Sequence, residues 1–181
     1  MVKRSYPPGP KKKRRGRVLL SGYGKELAEK QKLQKYYGLR ERQFEKYVKE
    51  ILQKRGKVED AVFLLIKTLE KRFDNVVFRF GFAKSRQEAR QLISHGHFLV
   101  NSKHLKIPSA IIKKGMVVSV KDAKKKSKLF KNLVLTLKNY TPPSWLKLDK
   151  ENMEGTVVGE PSLEEVGIIS DIPSIFEFYS R

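Results

Sequence analysis

The order of elements between residues 72 and 121 constrains the fold more than any other feature of the sequence. Apolar residues continue a helical face up to Phe80, and Gly81 ends it, because glycine is favoured just past a helix terminus. Ser85 and Glu88 then have the spacing of a capping box, in which each side chain satisfies a free backbone donor of a new helix. The sequence therefore predicts two consecutive helices in this stretch.

Short β-rich runs follow these two helices. Phe98–Val100 is predicted to be a strand, Asn101 and Ser102 a tight turn, and Lys103–Ile107 the returning strand. A proline and a glycine separate this hairpin from a third β-rich run, Met116–Val120. The whole stretch therefore predicts a module of two helices packed on a small antiparallel sheet.

Three helices are predicted before the module. Good helix formers dominate from Lys25 to Tyr37, and apolar stripes at helical spacing cover residues 44–52 and 58–69. Such stripes are buried when the helices pack against each other, so a small bundle is expected. The predicted fold class is therefore α+β, with an N-terminal helical bundle followed by the two-helix, antiparallel-sheet module.

The residues after the module complete the predicted architecture. Apolar residues at helical spacing between Leu129 and Leu137 predict a basic amphipathic helix, and short strands are expected around Trp145 and Thr156. Alternating side chains from Ile175 to Tyr179 predict a last strand that closes onto the body. The expected domains are a basic, extended RNA-binding arm (1–24), a helical domain (25–70), the module (71–121), a basic helix and short strands completing the second domain (122–160), and an acidic segment packing back on the body (161–181).

The net charge of +21 is extreme for 181 residues. A field of that size repels itself, so a polyanion is the expected partner and nucleic acid is the first candidate. An anionic membrane surface is the second candidate, although no run reaches the roughly 18 apolar residues of a spanning helix. Residues 149–181 instead hold 2 basic and 8 acidic side chains. This acidic tail is expected to pack on the chain's own basic surface or to face a protein neighbour.

Several kinds of chemistry are excluded by composition and spacing. The chain has no cysteine, which excludes disulfides and thiolate-bound zinc and indicates a reduced, intracellular protein. His95, His97 and His104 have no carboxylate close by in sequence to complete a metal site. The acids at 59–60 suit a helix start better than catalysis, and residues 21–26 do not match a phosphate-binding nucleotide loop. We therefore predict no metal, no cofactor and no catalysis.

Clusters of basic residues are the candidate RNA contacts. Arg86 and Arg90 are four residues apart on one helix face, where their charges repel each other and nothing in the predicted fold supplies a stabilising partner. A phosphate would stabilise the pair, because arginine binds phosphate through two parallel donors. The alternative is that both are solvated surface arginines. Lys46 and Lys49 lie off the apolar stripe of the second helix. Residues 1–17 hold eight basic and no acidic side chains, which suggests an arm that orders along phosphates or remains a solvated tail.

These features resemble a known family. The string RFDNVVFRFGFAKSRQEARQLISHGHFLVNSKHLKIPS strongly resembles the RNA-binding module named after small-subunit ribosomal protein four. Similar modules occur in some pseudouridine synthases, tyrosyl-tRNA synthetases and heat-shock RNA-binding proteins. The segments on either side of the module are therefore needed to identify the family. LAEKQKLQKYYGLRERQFEKYV before the module, with PSWLKLDKENMEGTVVGEP and IFEFYSR after it, resembles the bacterial-type ribosomal protein family itself.

The resemblance implies a structural, primary binder of small-subunit ribosomal RNA, which docks at a junction of RNA helices and nucleates assembly. It also implies contact with ribosomal proteins three and five, proximity to messenger RNA at its entrance, and an influence on decoding accuracy. The implied location is the small subunit in the cytoplasm or in an organelle with bacterial-type ribosomes. The module's RNA-facing motif corresponds to Ser85, Arg86, Arg90, His95, His97, Asn101 and Lys103. The basic stretch near the messenger entrance corresponds to Arg14, Arg15 and Arg17.

Two departures from the family pattern and two alternatives remain. Many members carry a longer N-terminal region, sometimes with a four-cysteine zinc site, which this cysteine-free sequence does not match. The usual Asn-Gly of the hairpin is Asn101-Ser102 here, so a looser turn or another turn type is expected. A free RNA-binding factor in translation or ribosome rescue is the first alternative. An RNA-modifying enzyme is the second, but the flanks contain no catalytic constellation.

Overall fold

The structure is a computed structural model, and it describes residues 21–53, 58–125, 127, 130, 133–167 and 170–180. Most of the predicted basic arm therefore lies outside the described residues. The helices are α1 (Gly22–Tyr37), α2 (Glu41–Gln53), α3 (Val58–Glu70), α4 (Phe73–Arg79), α5 (Arg86–Ser94), α6 (Asp122–Lys125), α7 (Leu133–Lys138), α8 (Leu163–Val166) and α9 (Ile172–Ser180). The strands are β1 (Phe98–Val100), β2 (Lys103–His104), β3 (Val117–Val120), β4 (Leu146–Asp149) and β5 (Glu154–Val157).

The five strands form one antiparallel sheet in the order β2-β1-β3-β5-β4. The two strands predicted after the module are β4 and β5, and they extend the module's own sheet beyond β3. Helices α4 and α5 pack on this sheet, while α1, α2 and α3 form the N-terminal bundle. The predicted α+β class is therefore confirmed.

Two separate hydrophobic cores correspond to these two layers. The module core includes Phe73, Phe80, Phe98 and Trp145, all of them buried. The bundle core is centred on side chains such as Phe44 from the first three helices. Because the cores are distinct, the angle between bundle and module depends on the contacts made at their boundary.

The chain breaks its helical path at that boundary. The sequence predicts one continuous helical face from α3 into α4, but Arg72 has an extended backbone and forms an isolated bridge with Ile111. The N–H groups of Phe73 and Asp74 are satisfied by the carbonyls of Ala110 and Pro108, at 2.8 and 3.0 Å. The loop that supplies these carbonyls leaves the sheet after His104, so β2 is shorter than the predicted Lys103–Ile107 strand.

The hairpin between β1 and β2 has the turn geometry that Asn-Gly favours, in spite of its serine. Asn101 and Ser102 have φ values of 47° and 63°, and Val100 pairs directly with Lys103. Positive φ at both central residues is what a type I′ turn requires. The expectation of a looser or different turn is therefore wrong: the strand pairing on either side holds the serine in the left-handed region.

The prediction of a last strand from Ile175 to Tyr179 is also wrong, because these residues lie in α9. Ile172, Ile175 and Phe176 occupy positions i, i+3 and i+4, and all three are buried in the bundle core. The helix is tied to the bundle by Glu41, which accepts hydrogen bonds from the Tyr179 hydroxyl at 2.7 Å and from Lys30 at 2.8 Å. A pattern of only five residues is too short to distinguish the two-residue period of a strand from the 3.6-residue period of a helix.

No helix in the described part of the chain combines the length and the apolar character that crossing a bilayer requires.

Candidate nucleic-acid interface

The structure distributes the predicted RNA contacts over three regions. Arg14, Arg15 and Arg17 lie outside the described residues. Lys46 and Lys49 are exposed on α2, where each pairs with a glutamate four residues away on the same helix. Such exposed pairs contribute little to stability, so both lysines can exchange the glutamate for a phosphate at small cost. The remaining candidates lie on α5 or on the hairpin.

Ser85 caps the N-terminus of α5 as the sequence predicts. Its hydroxyl accepts a hydrogen bond from the Glu88 N–H at 3.2 Å. The Glu88 carboxylate accepts from the N–H of Lys84, at 2.7 Å, and so reaches one residue further back than a capping box requires. Ser85 is exposed, but its hydroxyl already has this structural role.

Arg90 faces the helical bundle. Its Nε donates to Asp74 Oδ2 at 2.7 Å, its Nη2 donates to the Tyr37 carbonyl at 2.8 Å, and its Nη1 donates to the Gly38 carbonyl. The two carbonyls belong to the C-terminal end of α1, where a cation interacts favourably with the helix dipole. Arg90 thus caps a helix of the other domain.

Arg86 is held at the same boundary. Its Nε donates to Asn75 Oδ1 at 2.7 Å, and its guanidinium lies 4.3 Å from the ring centre of Tyr36 and 4.5 Å from that of Phe78. Cation–π contacts of this kind stabilise an arginine that has lost part of its water. The premise that nothing in the fold stabilises Arg86 and Arg90 is therefore wrong, because both have intramolecular partners that the sequence did not reveal.

Two buried carboxylates organise this boundary. Glu70, which is 0% exposed, accepts hydrogen bonds from Tyr37, Asn75 and Arg79 at distances of 2.7 to 3.0 Å. Asp74, which is 1% exposed, accepts one hydrogen bond from Arg90 at 2.7 Å and two from Arg72 at 3.1 and 2.8 Å. We refer to Tyr37, Glu70, Arg72, Asp74, Asn75, Arg79, Arg86 and Arg90 as the boundary network.

The network shifts the proton affinity of its members. Burial raises the pKa of Tyr37 well above its ordinary value, and the adjacent Glu70 carboxylate raises it further. Burial alone would lower the pKa of Arg79, but the hydrogen bonds and charge of Glu70 raise it above the ordinary range. Tyr37 therefore stays neutral and Arg79 stays charged throughout the neutral range.

Alkaline pH is expected to destabilise the protein. The pKa values of Tyr37, Tyr140 and Tyr179 are all raised, first by burial, and for Tyr37 and Tyr179 also by a neighbouring glutamate. A raised pKa in the folded state gives stability that is complete below the unfolded value of about 10 and is lost as pH rises through the folded value. Urea unfolding at pH values from about 9 to about 11, with tyrosinate absorbance followed in parallel, should show this loss. A free energy of unfolding that stays constant over the range would contradict it.

His95 and His97 lie at the C-terminal end of α5. Their rings stack with centres 6.3 Å apart, and the His97 ring also packs against Phe130. Burial lowers the pKa of His97, and the charges of Lys124 and His95 lower it further. His97 is therefore neutral at pH 7 and can serve an RNA as a hydrogen-bonding group, whereas the exposed His95 is free to approach a phosphate.

Asn101 and Lys103 lie at the hairpin tip and have different roles. The Asn101 side chain accepts a hydrogen bond from the Val117 N–H at 2.8 Å, and so it joins the tip to the start of β3. Lys103 is exposed on β2, the edge strand of the sheet. Lys103 is therefore available to bind a ligand, whereas the Asn101 side-chain oxygen is already used within the module.

The sequence prediction missed part of the cationic surface around this edge. Between Glu88 and Asp122 the sequence contains no acidic side chain, a pattern that counting alone would have found. The Lys106 side chain packs over Gly96 at the end of α5, so closely that a Cβ on Gly96 would lie 3.0 Å from Lys106 Cε. We refer to the exposed basic side chains of this acid-free stretch as the basic edge: His95, Lys103, His104, Lys106, Lys113 and Lys114.

The described residues contain no group of three histidine, aspartate or glutamate side chains arranged to hold a metal ion.

Comparison with known proteins explains this combination of bundle, module and basic edge. The ribosomal protein S4/S9 N-terminal domain matches residues 1–70, and the S4 domain matches residues 71–118. Small ribosomal subunit protein uS4 of Halothermothrix orenii is 45% identical over 179 residues, which are 99% of this chain and 84% of the relative. The chain belongs to the uS4 family of small ribosomal subunit proteins.

Other relatives agree with this assignment. Small ribosomal subunit protein uS4 of Sulfurihydrogenibium sp. is 43% identical, with 98% of this chain and 86% of the relative covered. The uS4 protein of Thermotoga petrophila is 42% identical, with 99% and 84% covered. The uS4 family is structural and non-enzymatic, so the chain is not an enzyme, and the alternative of a free RNA-binding factor is not supported.

Proposed function

We propose that this chain is a structural component of the small ribosomal subunit and binds the subunit's RNA through the basic edge of its module. The observation that carries this assignment of the site is the acid-free stretch between Glu88 and Asp122, whose exposed basic side chains include Lys103 on the edge strand β2. Shape recognition of folded RNA needs a rigid surface that neutralises phosphates, and the hairpin tip supplies one.

Further contacts extend this surface. Lys46 and Lys49 on the bundle, and Arg14, Arg15 and Arg17 before it, are proposed to bind phosphates that the module cannot reach. We assign the three arginines to the neighbourhood of the messenger entrance, with messenger RNA as a further partner. A chain that holds RNA with two domains and an arm is suited to nucleate assembly and to affect decoding accuracy.

We also propose a protein-facing side. Residues 149–181 carry a net charge of −6, and exposed acids such as Glu164, Glu165 and Glu177 lie on α8 and α9. Such a surface repels RNA and suits basic protein neighbours, for which ribosomal proteins three and five are the proposed partners. The location that follows is the small subunit in the cytoplasm, or in an organelle with bacterial-type ribosomes.

Replacing Lys103 by glutamine is expected to weaken RNA binding and to reduce its salt dependence. Each lysine that neutralises a phosphate releases about one counterion, so the slope of log affinity against log salt should fall by about 1. Lys147→Gln is the matched control, because Lys147 is an exposed lysine on β4, at the opposite edge of the same sheet. Filter binding to a small-subunit RNA fragment at several salt concentrations measures both. Equal slopes for the two variants would contradict the proposed edge.

Sedimentation of ribosomes from native extract tests the assignment as a whole. A structural component should co-migrate with the small subunit at about one copy per particle and should be released only at high salt, because many phosphate contacts hold it. A chain found mostly in the free fraction at physiological salt would contradict the proposal.

A further inference from the structure

We infer that Arg90 and Asp74 are positioning residues for RNA binding: their contact holds the bundle and the module at one angle, and Arg90 itself contacts no phosphate. This inference rests on the proposed function, since it concerns how RNA affinity arises. It also assigns Arg90 a role different from the one that the sequence predicts.

The contacts of Arg90 leave it poorly suited to bind a phosphate. Three of its five N–H donors are used, on Asp74 and on the carbonyls of Tyr37 and Gly38. Its charge is already matched by a carboxylate that is 1% exposed. Among the described residues, a phosphate that took Arg90 away would leave Asp74 with Arg72 and the Asn75 backbone N–H as partners, and an underpaired buried charge is costly.

The same contacts are well placed to fix an interdomain angle. Asp74 lies in the first turn of α4 and Arg90 on α5, so the pair belongs to the module. Tyr37 and Gly38 end α1, so the two carbonyl contacts belong to the bundle. Arg72 extends the connection to a third element, because its Nη1 donates to the Tyr47 hydroxyl on α2 at 2.6 Å. One buried carboxylate thereby orients two arginines, and each arginine holds a different helix of the bundle.

The angle matters because the proposed RNA contacts lie on both domains. Lys46 and Lys49 are on the bundle, whereas Lys103 and the rest of the basic edge are on the module. The two hydrophobic cores are separate, so the boundary contacts decide how rigidly these cations are spaced. A chain with a fixed angle binds without first restricting the motion of its domains, which preserves affinity.

A double-mutant cycle on the full chain distinguishes positioning from phosphate contact. Arg90→Met, Asp74→Asn and the double variant are compared with the parent for binding to a small-subunit RNA fragment over a range of salt. If the pair acts by positioning, each single variant should bind about tenfold more weakly. The two losses of affinity should combine less than additively, because both changes break the Arg90–Asp74 contact, even though Asp74→Asn also releases Arg72. The salt slope should stay at the parent value, because no phosphate contact is removed.

Domain orientation is read out independently. The chain has no native cysteine, so Gln43→Cys on α2 and Glu151→Cys in the β4–β5 loop accept spin labels at two chosen exposed sites. Without RNA, the parent should give a narrow distribution of distances between the labels, and Arg90→Met and Asp74→Asn should broaden it. Far-UV circular dichroism verifies that secondary structure is retained. If Asp74→Asn does not fold, Arg90→Lys replaces it, since lysine keeps the charge beside Asp74 but lacks the fork that reaches two carbonyls.

Glu160→Gln is the matched control. Glu160 also joins the two domains, through Lys67 at 3.0 Å and Lys71 at 2.6 Å, but its side chain is 41% exposed. Its loss should change neither the distance distribution nor RNA affinity by more than about twofold, since exposed ion pairs contribute little. A control that broadens the distribution as much as Arg90→Met would overturn the inference.

Two results would contradict the inference directly. In the first, Arg90→Met lowers the salt slope by about 0.7 to 0.9 while Asp74→Asn binds as the parent does, which is the behaviour of a phosphate contact. In the second, the distance distribution is unchanged in every variant. Failure of the parent chain to bind the RNA fragment at all would instead reject the proposed function, so the two failures are distinguishable.

Discussion

Glu70→Ala is expected to lower the free energy of unfolding by about 3–5 kcal/mol, the usual cost of removing one partner from a buried charge pair. Glu70 accepts hydrogen bonds from Tyr37, Asn75 and Arg79, and its removal leaves the Arg79 guanidinium without its carboxylate. For a chain of this length such a loss corresponds to a fall in melting temperature of roughly 10 °C.

Urea unfolding measures this change with two probes. Fluorescence of Trp145, the single tryptophan, follows the module, while far-UV circular dichroism follows both domains. Glu164→Ala is the matched control, because this glutamate is exposed on α8 and its loss should change stability by no more than about 0.5 kcal/mol. Equal unfolding midpoints for Glu70→Ala and Glu164→Ala would show that the boundary network contributes nothing to stability.

Gly155→Ala is expected to destabilise the module by about 1–3 kcal/mol through overpacking. Gly155 lies in β5 between Val118 and Leu148, where the ring of Phe80 covers it. A Cβ at this position would lie 2.3 Å from Phe80 Cε1, closer than any van der Waals contact allows. Phe80 is fully buried, so its ring can move only by displacing other core side chains.

Gly159→Ala provides the comparison, because a Cβ there would meet its nearest neighbour, Trp145, at an ordinary 3.5 Å. Thermal unfolding of the two variants should therefore differ by several degrees. RNA affinity of folded Gly155→Ala should remain near the parent value, since the residue is far from the basic edge in the sheet order. A Gly155→Ala variant as stable as Gly159→Ala would mean that the Phe80 ring has room to move.

Local signals in the sequence predicted the elements well where one period extended over several turns or a specific residue ended an element. The helix that ends at Tyr37 and the capping serine of α5 both follow from the chemistry of local residues. The errors arose where contacts between distant residues decide. Ile175–Tyr179 is too short to distinguish a strand from a helix, and burial against α1 and α2 makes it a helix.

The candidate site divides in the same way. The sequence by itself determined that the chain is strongly basic and that Lys103 and its neighbours form a stretch without acids, because charge is a property of composition and order. Only the tertiary structure decided which cations remain available to a ligand. Arg86 and Arg90 have the spacing of a phosphate-binding pair, yet Asp74 and Asn75, more than ten residues earlier, neutralise or orient them. An ion pair depends on distance in space, and the turn that brings α5 back onto α4 sets that distance.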